Sequence, residues 1–417
     1  MRSGFLVITS LFLCFIASPV VAQLPPVNSD PFGKSFANAQ ACSATEASCA
    51  EAAAKIIPQV MGPSPMDENL RRLTDEIGGR VSGSPEMAKA VDWAIAAFRA
   101  EGVEVHIEKY TLATTWSEGD TRLELLGPQK FPVRLVAEGW SPATPAGGIE
   151  ANLIDVGFGT TDDFAKARSS IKGSILLVSS EIGSTWNDLL NEYALPPAII
   201  DRAVKGGAAA ILWMGARERL LLYRHTNSGD GLIDVIPQAV VAREDAMRLA
   251  RTIAAYPGKV RVRFSMPNKI GGPIEQFNVI GEIRGREKPD EAVILGAHLD
   301  SWDLGTGALD NGCNAAMVIE AARAIRATGL VPRRTIRFVL FSGEEQGMVG
   351  SWQYVTAHRA EMDKIRGVII FDSGDGRVSG YSLSGRRDIR DALLFHFFVE
   401  TRFLELLFDI GAREALA

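Results

Sequence analysis

The sequence predicts an α/β protein: a three-layer α/β/α fold on a mostly parallel mixed sheet, with a second domain inserted into it. Three observations carry this. After Gly271-Gly272-Pro273, apolar runs of strand length alternate with helix-length segments, the pattern of a sheet covered on both faces. Between about Thr111 and Ile270 the texture changes to short strands and turns, enough for a separate domain. Imidazole and carboxylate residues stand at or just beyond the ends of the later apolar runs, where open α/β sheets place their ligands.

Composition sets the limits. The 417 residues can hold two ordinary domains, and 47% hydrophobic with 23% charged residues is a globular balance. The formal charge of -6 contains no basic run, which argues against a nucleic-acid partner or an anionic membrane. Met1-Arg2, the apolar stretch Phe5 to Ile16 and Ser18-Pro19-Val20-Val21-Ala22 read as a secretory signal over residues 1–22, cleaved after Ala22. That stretch is shorter than the roughly 20 residues that span a bilayer, so no stable membrane anchor is expected. A secreted, extracellular or periplasmic location follows. In such a compartment Cys42 and Cys49 could form a small disulfide, leaving Cys313 buried.

Residues 23–65 form a Pro-, Ala- and Ser-rich arm with one helix at Ala50 to Val60. Residues 66–110 begin the main domain. Met66 to Ile77 is a helix, Gly78-Gly79-Arg80-Val81-Ser82-Gly83-Ser84-Pro85 a structural turn, and Glu86 to Glu101 a second helix. In that second helix Ala90, Trp93, Ala94, Ala97 and Phe98 mark one face at i, i+3, i+4 spacing. Val103 to Ile107 alternates as a half-buried strand, with His106 on its exposed side.

In the inserted segment, residues 111–270, Ala151 to Val156, Lys172 to Val178 and Ala208 to Trp213 read as strands. Asp162 to Arg168, Ala198 to Gly206 and Glu244 to Tyr256 read as helices. Lys172-Gly173-Ser174-Ile175-Leu176-Leu177-Val178 followed by Ala203 to Ile211 resembles a protease-associated domain. His225 reads as a polar loop histidine, with a place in an active cleft as the sharper alternative.

The main domain resumes over residues 271–417. Phe277 to Ile283, Glu291 to Ala297, Arg334 to Phe341 and Gly367 to Phe371 are strands, and Asn311 to Ala327 and Gln346 to Arg359 are helices. His298, Asp310, the pair Glu344-Glu345 and Asp372 occupy the strand ends and a helix entrance. Singly each has a plain reading. His298 could be structural, Asp310 a helix cap, Glu344-Glu345 a solvated pair and Asp372 part of a turn. Together they suit a cation, because clustered carboxylates repel unless their pKa values rise or a metal intervenes. Carboxylates with a neutral imidazole suit zinc, and this many suit two ions better than one.

Three stretches carry a specific resemblance: Gly296-Ala297-His298-Leu299-Asp300-Ser301-Trp302-Asp303-Leu304-Gly305-Thr306-Gly307-Ala308-Leu309-Asp310, Phe341-Ser342-Gly343-Glu344-Glu345-Gln346-Gly347-Met348-Val349-Gly350-Ser351, and Phe371-Asp372-Ser373-Gly374. They resemble the M28 family of zinc exopeptidases, within it the plasma glutamate carboxypeptidase group, and weaker similarity runs from Met66 to about Ala392. The resemblance implies the zinc-exopeptidase fold and a peptide substrate, with a homodimer left open. It implies that Asp310 bridges two zinc ions, that His298 and Asp372 complete one site and that Glu345 binds the other. Asp300 would accept a hydrogen bond from His298 and fix its tautomer, and Glu344 would be the general base for an attacking water. Asn311 stands where many members carry a second aspartate.

The family completes its second zinc site with a histidine far downstream of the aspartate matched by Asp372. Here the chain ends 45 residues after it at Ala417, and the only later histidine is His396. Five of the 19 phenylalanines fall between Phe395 and Phe408, where the similarity fades, so a C-terminal truncation is expected, with an amphipathic helix as the competing view. The expected function is a zinc-dependent exopeptidase, an aminopeptidase, carboxypeptidase or dipeptidase. The alternatives are a truncated or inactive peptidase-like binding protein and an acyltransferase of the glutaminyl cyclase type, which the Ser301-Trp302-Asp303 loop and the inserted domain disfavour.

Overall fold

Period-two burial assigns the strands of the main domain to a five-stranded sheet in a computed structural model that describes residues 46–372, with Gly374 and Ser382. Its strands are β1 (Glu104–Leu112), β2 (Ile274–Ile283), β3 (Lys288–His298), β4 (Arg334–Phe341) and β5 (Ile365–Ile370), in the order β1-β2-β4-β3-β5. Alternation along β4 sends Phe338 and Leu340 to one face and Val339 and Phe341 to the other. On the first face they meet the helices Pro85–Ala100 and Cys313–Ala327; on the second they meet Tyr354 of the helix Val349–Ala357. Helices on both faces make three layers.

The sheet is mixed, with two of its four pairings parallel, rather than mostly parallel. Connection length explains this. The short turn between β2 and β3 reverses the chain, whereas β3 to β4 and β4 to β5 have room for helical crossovers that return each strand in the same direction.

A seven-stranded sheet is built from the intervening segment. Its order is Arg122–Gly127, Arg261–Ser265, Ile149–Asp155, Ile175–Val178, Ala210–Met214, Gln238–Val241 and Leu135–Ala137. The middle pairings are parallel and the outer ones antiparallel. Thr161–Ile171 and Pro196–Gly206 pack on one face, and Arg243–Ala255 on the other. Where the chain enters and leaves this unit, Thr115–Ser117 and Lys269–Gly271 pair as a two-stranded ribbon.

Several elements differ from the sequence expectation. The Met66 to Ile77 helix divides into α-helical Met66–Arg71 and π-helical Arg72–Ile77. The helix expected from Asn311 starts at Cys313, because a π-turn, Ala308–Gly312, carries the acidic loop into it. Cys313 is half-buried rather than buried, since its Sγ points back to the Leu309 carbonyl at that turn. The signal segment, the Cys42–Cys49 pairing, most of the N-terminal arm, His396 and the phenylalanine-rich tail lie outside the described residues.

Candidate metal centre

Parallel register brings the predicted residues together. His298, the last residue of β3, lies opposite Phe341 of β4, so the Ser342-Gly343-Glu344-Glu345 turn leaves the sheet beside it. On the other side Gly296 pairs with Ile370 of β5, and Asp372 follows at the same edge. Gly343, at φ +73°, supplies the left-handed turn that bends the chain away from β4.

The imidazole Nε2 of His298 is 3.0 Å from Asp310 Oδ1, 3.1 Å from Asp372 Oδ1 and 4.0 Å from Glu344 Oε2. The ligand atoms of His298, Asp310 and Asp372 all lie within 4.8 Å of one another. A single ring nitrogen has at most one proton to offer, so two carboxylates crowding it are poorly satisfied by hydrogen bonding alone. His298 is buried, while Asp310 is open to solvent along much of its side chain. Three of the four residues predicted as ligands thus converge. Glu345 is not part of this trio, although the charges of Asp310 and Glu344 act on it.

Electrostatics reflect the crowding. Burial, helped by Asp372, Asp300 and Asp310, lifts the Glu344 carboxyl to about 8 against the opposing charge of His298. Burial, Asp310 and Glu344 push Glu345 well above the usual carboxyl range. For Asp310 the crowding of the cluster desolvates the carboxylate and acts upward although much of the side chain is exposed, but the hydrogen bond and charge of His298 and the charge of Arg80 outweigh it and hold the group low. Burial would lower His298, yet the surrounding carboxylates, Glu344 foremost, raise it well above its ordinary value.

Asp300 is fully buried in a position other than the one expected. Nδ1 of His298 faces the backbone carbonyl of Asp300 at 3.0 Å, while the Asp300 carboxylate is 3.6 Å from Nδ1, too far for a hydrogen bond. Its two oxygens instead accept the backbone N–H groups of Glu344 and Glu345, each at 3.2 Å. Asn311, joined to Asp310 by a cis peptide bond, donates through Nδ2 to the Phe371 carbonyl at 2.9 Å and to Asp372 Oδ1 at 3.3 Å.

Two further polar residues escape sequence reasoning. Arg80, from the presumed structural turn, is fully buried beneath the loop joining His298 to Asp310. Its guanidinium donates to the carbonyls of Leu299, Gly78, Thr306 and Gly307. Burial pushes its pKa down to about 10 against the pull of Asp300, Glu345 and Asp310. His225, expected as a polar loop histidine, is largely buried and paired with Glu138, whose side chain is 1% exposed. A single arginine between glycines carries no periodic signal, so only the folded loop reveals Arg80.

With this geometry in place, the relatives give the class. Residues 278–393 match the profile of Peptidase family M28. Carboxypeptidase Q of Mus musculus is 32% identical over 322 residues, spanning 76% of this chain and 67% of the relative. Carboxypeptidase Q of Homo sapiens is 31% identical over 327 residues, spanning 78% and 67%. Among solved structures, a peptidase M28 precursor from Shewanella amazonensis SB2B superposes with a TM-score of 0.69 at 30% identity, covering 78% of this chain and 74% of that one. The chain belongs to peptidase family M28, a metallopeptidase family. No helix among the described residues is long and apolar enough to cross a membrane.

Proposed function

We propose that the chain is a secreted or periplasmic zinc-dependent exopeptidase acting on dipeptides or short peptides with an unblocked terminus. The convergence of His298, Asp310 and Asp372 at one sheet edge is the observation that carries this reading. The donor set fits zinc, with an imidazole whose Nδ1 is held by a backbone carbonyl and carboxylates aimed at the same nitrogen. His298, Asp310 and Asp372 would hold one ion, and Asp310 with Glu345 would contribute to a second. Bound zinc supplies Lewis acidity toward a water and a peptide carbonyl.

The chain's own part is proton handling. Glu344 is the candidate general base. Its carboxylate lies at the rim of the cluster, and burial, with the nearby aspartates and against the charge of His298, raises its proton affinity toward the neutral range where a base works best. Glu344 takes the proton from the attacking water at a side-chain oxygen and returns it to the leaving amine. Asp300 fixes the backbone from which Glu344 and Glu345 diverge, so neighbouring carboxylates can serve water and metal separately.

The test is zinc stoichiometry on purified protein together with hydrolysis of a small dipeptide panel, with Glu344→Gln as control. Zinc uptake by both proteins and turnover by the wild type alone is the expected result. Absence of zinc and of turnover in the wild type would instead support a binding protein on a peptidase scaffold.

A further inference from the structure

The loop that begins at His298 and ends at Asp310 is gripped at its middle by the seven-stranded unit. The ring of Trp302 lies against the backbone of Gly139, so closely that a Cβ there would come within 2.2 Å of its Cη2. Trp140, fully buried, meets Trp302 edge-on at 6.2 Å and 74° and stacks on Trp116 at 6.0 Å and 22°. Next to Trp302, Asp303 pairs with Arg224, whose side chain is completely buried. Arg224 also pairs with Glu118, donates to the Ala137 carbonyl at 3.0 Å and lies over the Trp116 ring at 5.0 Å. Glu118 Oε1 in turn accepts the backbone N–H of Ala137 at 2.6 Å.

These contacts form a socket of aromatic and ionic groups that receives one short piece of the main domain. None of its residues belongs to the trio at the metal centre. Its position still matters to that centre, because the captured residues lie on the segment whose two ends carry ligands. A fully buried guanidinium held between two carboxylates tolerates little displacement, since moving Asp303 away would leave Arg224 with Glu118 as its one ionic partner and break the tie to the loop. The opposite side of the loop is equally confined: a Cβ on Gly79 would meet Asp303 Cα at 2.6 Å.

We propose that this socket is a positioning device for the metal centre. By holding Trp302 and Asp303, the seven-stranded unit fixes the span between His298 and Asp310, so the affinity for metal is set in part from the second sheet. Gly139, Trp140 and Arg224 are thus positioning residues. The proposal rests on the metal-binding reading of His298, Asp310 and Asp372.

Zinc affinity, measured on the full chain by competition with a chromogenic chelator, tests it alongside the melting temperature of the metal-stripped protein and the separate kcat and KM values. Trp302→Leu and Asp303→Ala should each weaken zinc binding about tenfold or more. They should lower kcat at little changed KM, beyond any shift in metal-free melting. Arg224→Met empties the socket from the other side. Because this variant could misfold, Asp303→Ala, which leaves Arg224 paired with Glu118, is the decisive single change. The double variant Arg224→Met with Asp303→Ala should bind zinc no more weakly than the weaker single one, because both remove the same contact. Folded single variants with wild-type zinc affinity, or losses that simply add, overturn the socket's role. Wild-type protein that takes up no zinc overturns the metal reading itself, and the positioning role with it.

Discussion

The carboxylate of Asp300 accepts the backbone N–H of Glu344 at 3.2 Å and, through its other oxygen, that of Glu345 at the same distance. One buried side chain thus ties the end of β3 to the turn after β4, and its own carbonyl holds His298 Nδ1 at 3.0 Å. Asp300 is therefore a bracket between the imidazole and the glutamate pair.

Asp300→Asn tests the bracket with almost no change in volume. The amide offers one acceptor where the carboxylate offers two, and its NH2 group would face a backbone N–H. The expected result is a loss of about 10–100-fold in kcat/KM or in zinc affinity, the usual range for groups that orient ligands. Steady-state kinetics and metal analysis on the same preparation would check it.

Arg80→Met removes the donor to the carbonyls of Leu299, Gly78, Thr306 and Gly307. Stranding even two or three buried carbonyls at about 1–3 kcal/mol each should lower the unfolding free energy by roughly 3 kcal/mol or more. Urea denaturation should show a lower midpoint with an unchanged slope. Arg80→Lys should recover little, because an ammonium cannot fork toward several carbonyls at once.

Metal uptake should release protons. Burial lifts the Glu344 carboxyl to about 8 and pushes Glu345 above its usual range, so a cation entering this cluster should displace protons. Coordination favours the ionised forms. Calorimetric zinc titrations in two buffers of different ionisation enthalpy should reveal the release. It should shrink as pH rises through about 8 and be smaller in Glu344→Gln.

The His225–Glu138 pair should stabilise the seven-stranded unit in a pH-dependent way. Burial lowers the histidine's proton affinity, but the close charge of Glu138 outweighs it and raises the folded-state value. This stabilisation is complete below the unfolded value near 6.5 and is lost as pH rises through the higher folded value. Glu138→Gln should accordingly lower the melting temperature more at about pH 6 than at about pH 9, as thermal denaturation at the two pH values would show.

What was legible in the sequence was what local pattern controls. The apolar run before His298 marked β3, the i, i+3, i+4 face from Ala90 to Phe98 marked its helix, and acidic residues at successive strand ends marked one edge of the sheet. Strand order was not legible, because nothing local to β4 says that it enters between β2 and β3. Arg80 stayed hidden for a related reason. Three of the carbonyls it serves lie 219, 226 and 227 residues further along the chain, so its role exists only after the loop has closed over it. The sequence motif points to Asp300 as a side-chain partner of His298, but its distances favour the Glu344 and Glu345 amides, a choice set by the register between β3 and β4.

The placement of β4 between β2 and β3 also bears on how the molecule is made. During synthesis β2 and β3 emerge together, and the strand that separates them follows only after the helix Cys313–Ala327. Until then the two neighbours cannot take their final spacing, and His298 waits without the turn that bears Glu344. The slot must be filled along both of its edges by one late-arriving strand, a non-local step of the kind that slows folding and leaves hydrogen-bonding edges open meanwhile. The strand order thus requires that the candidate metal cluster come together only once β4 has filled this slot and the sheet is complete.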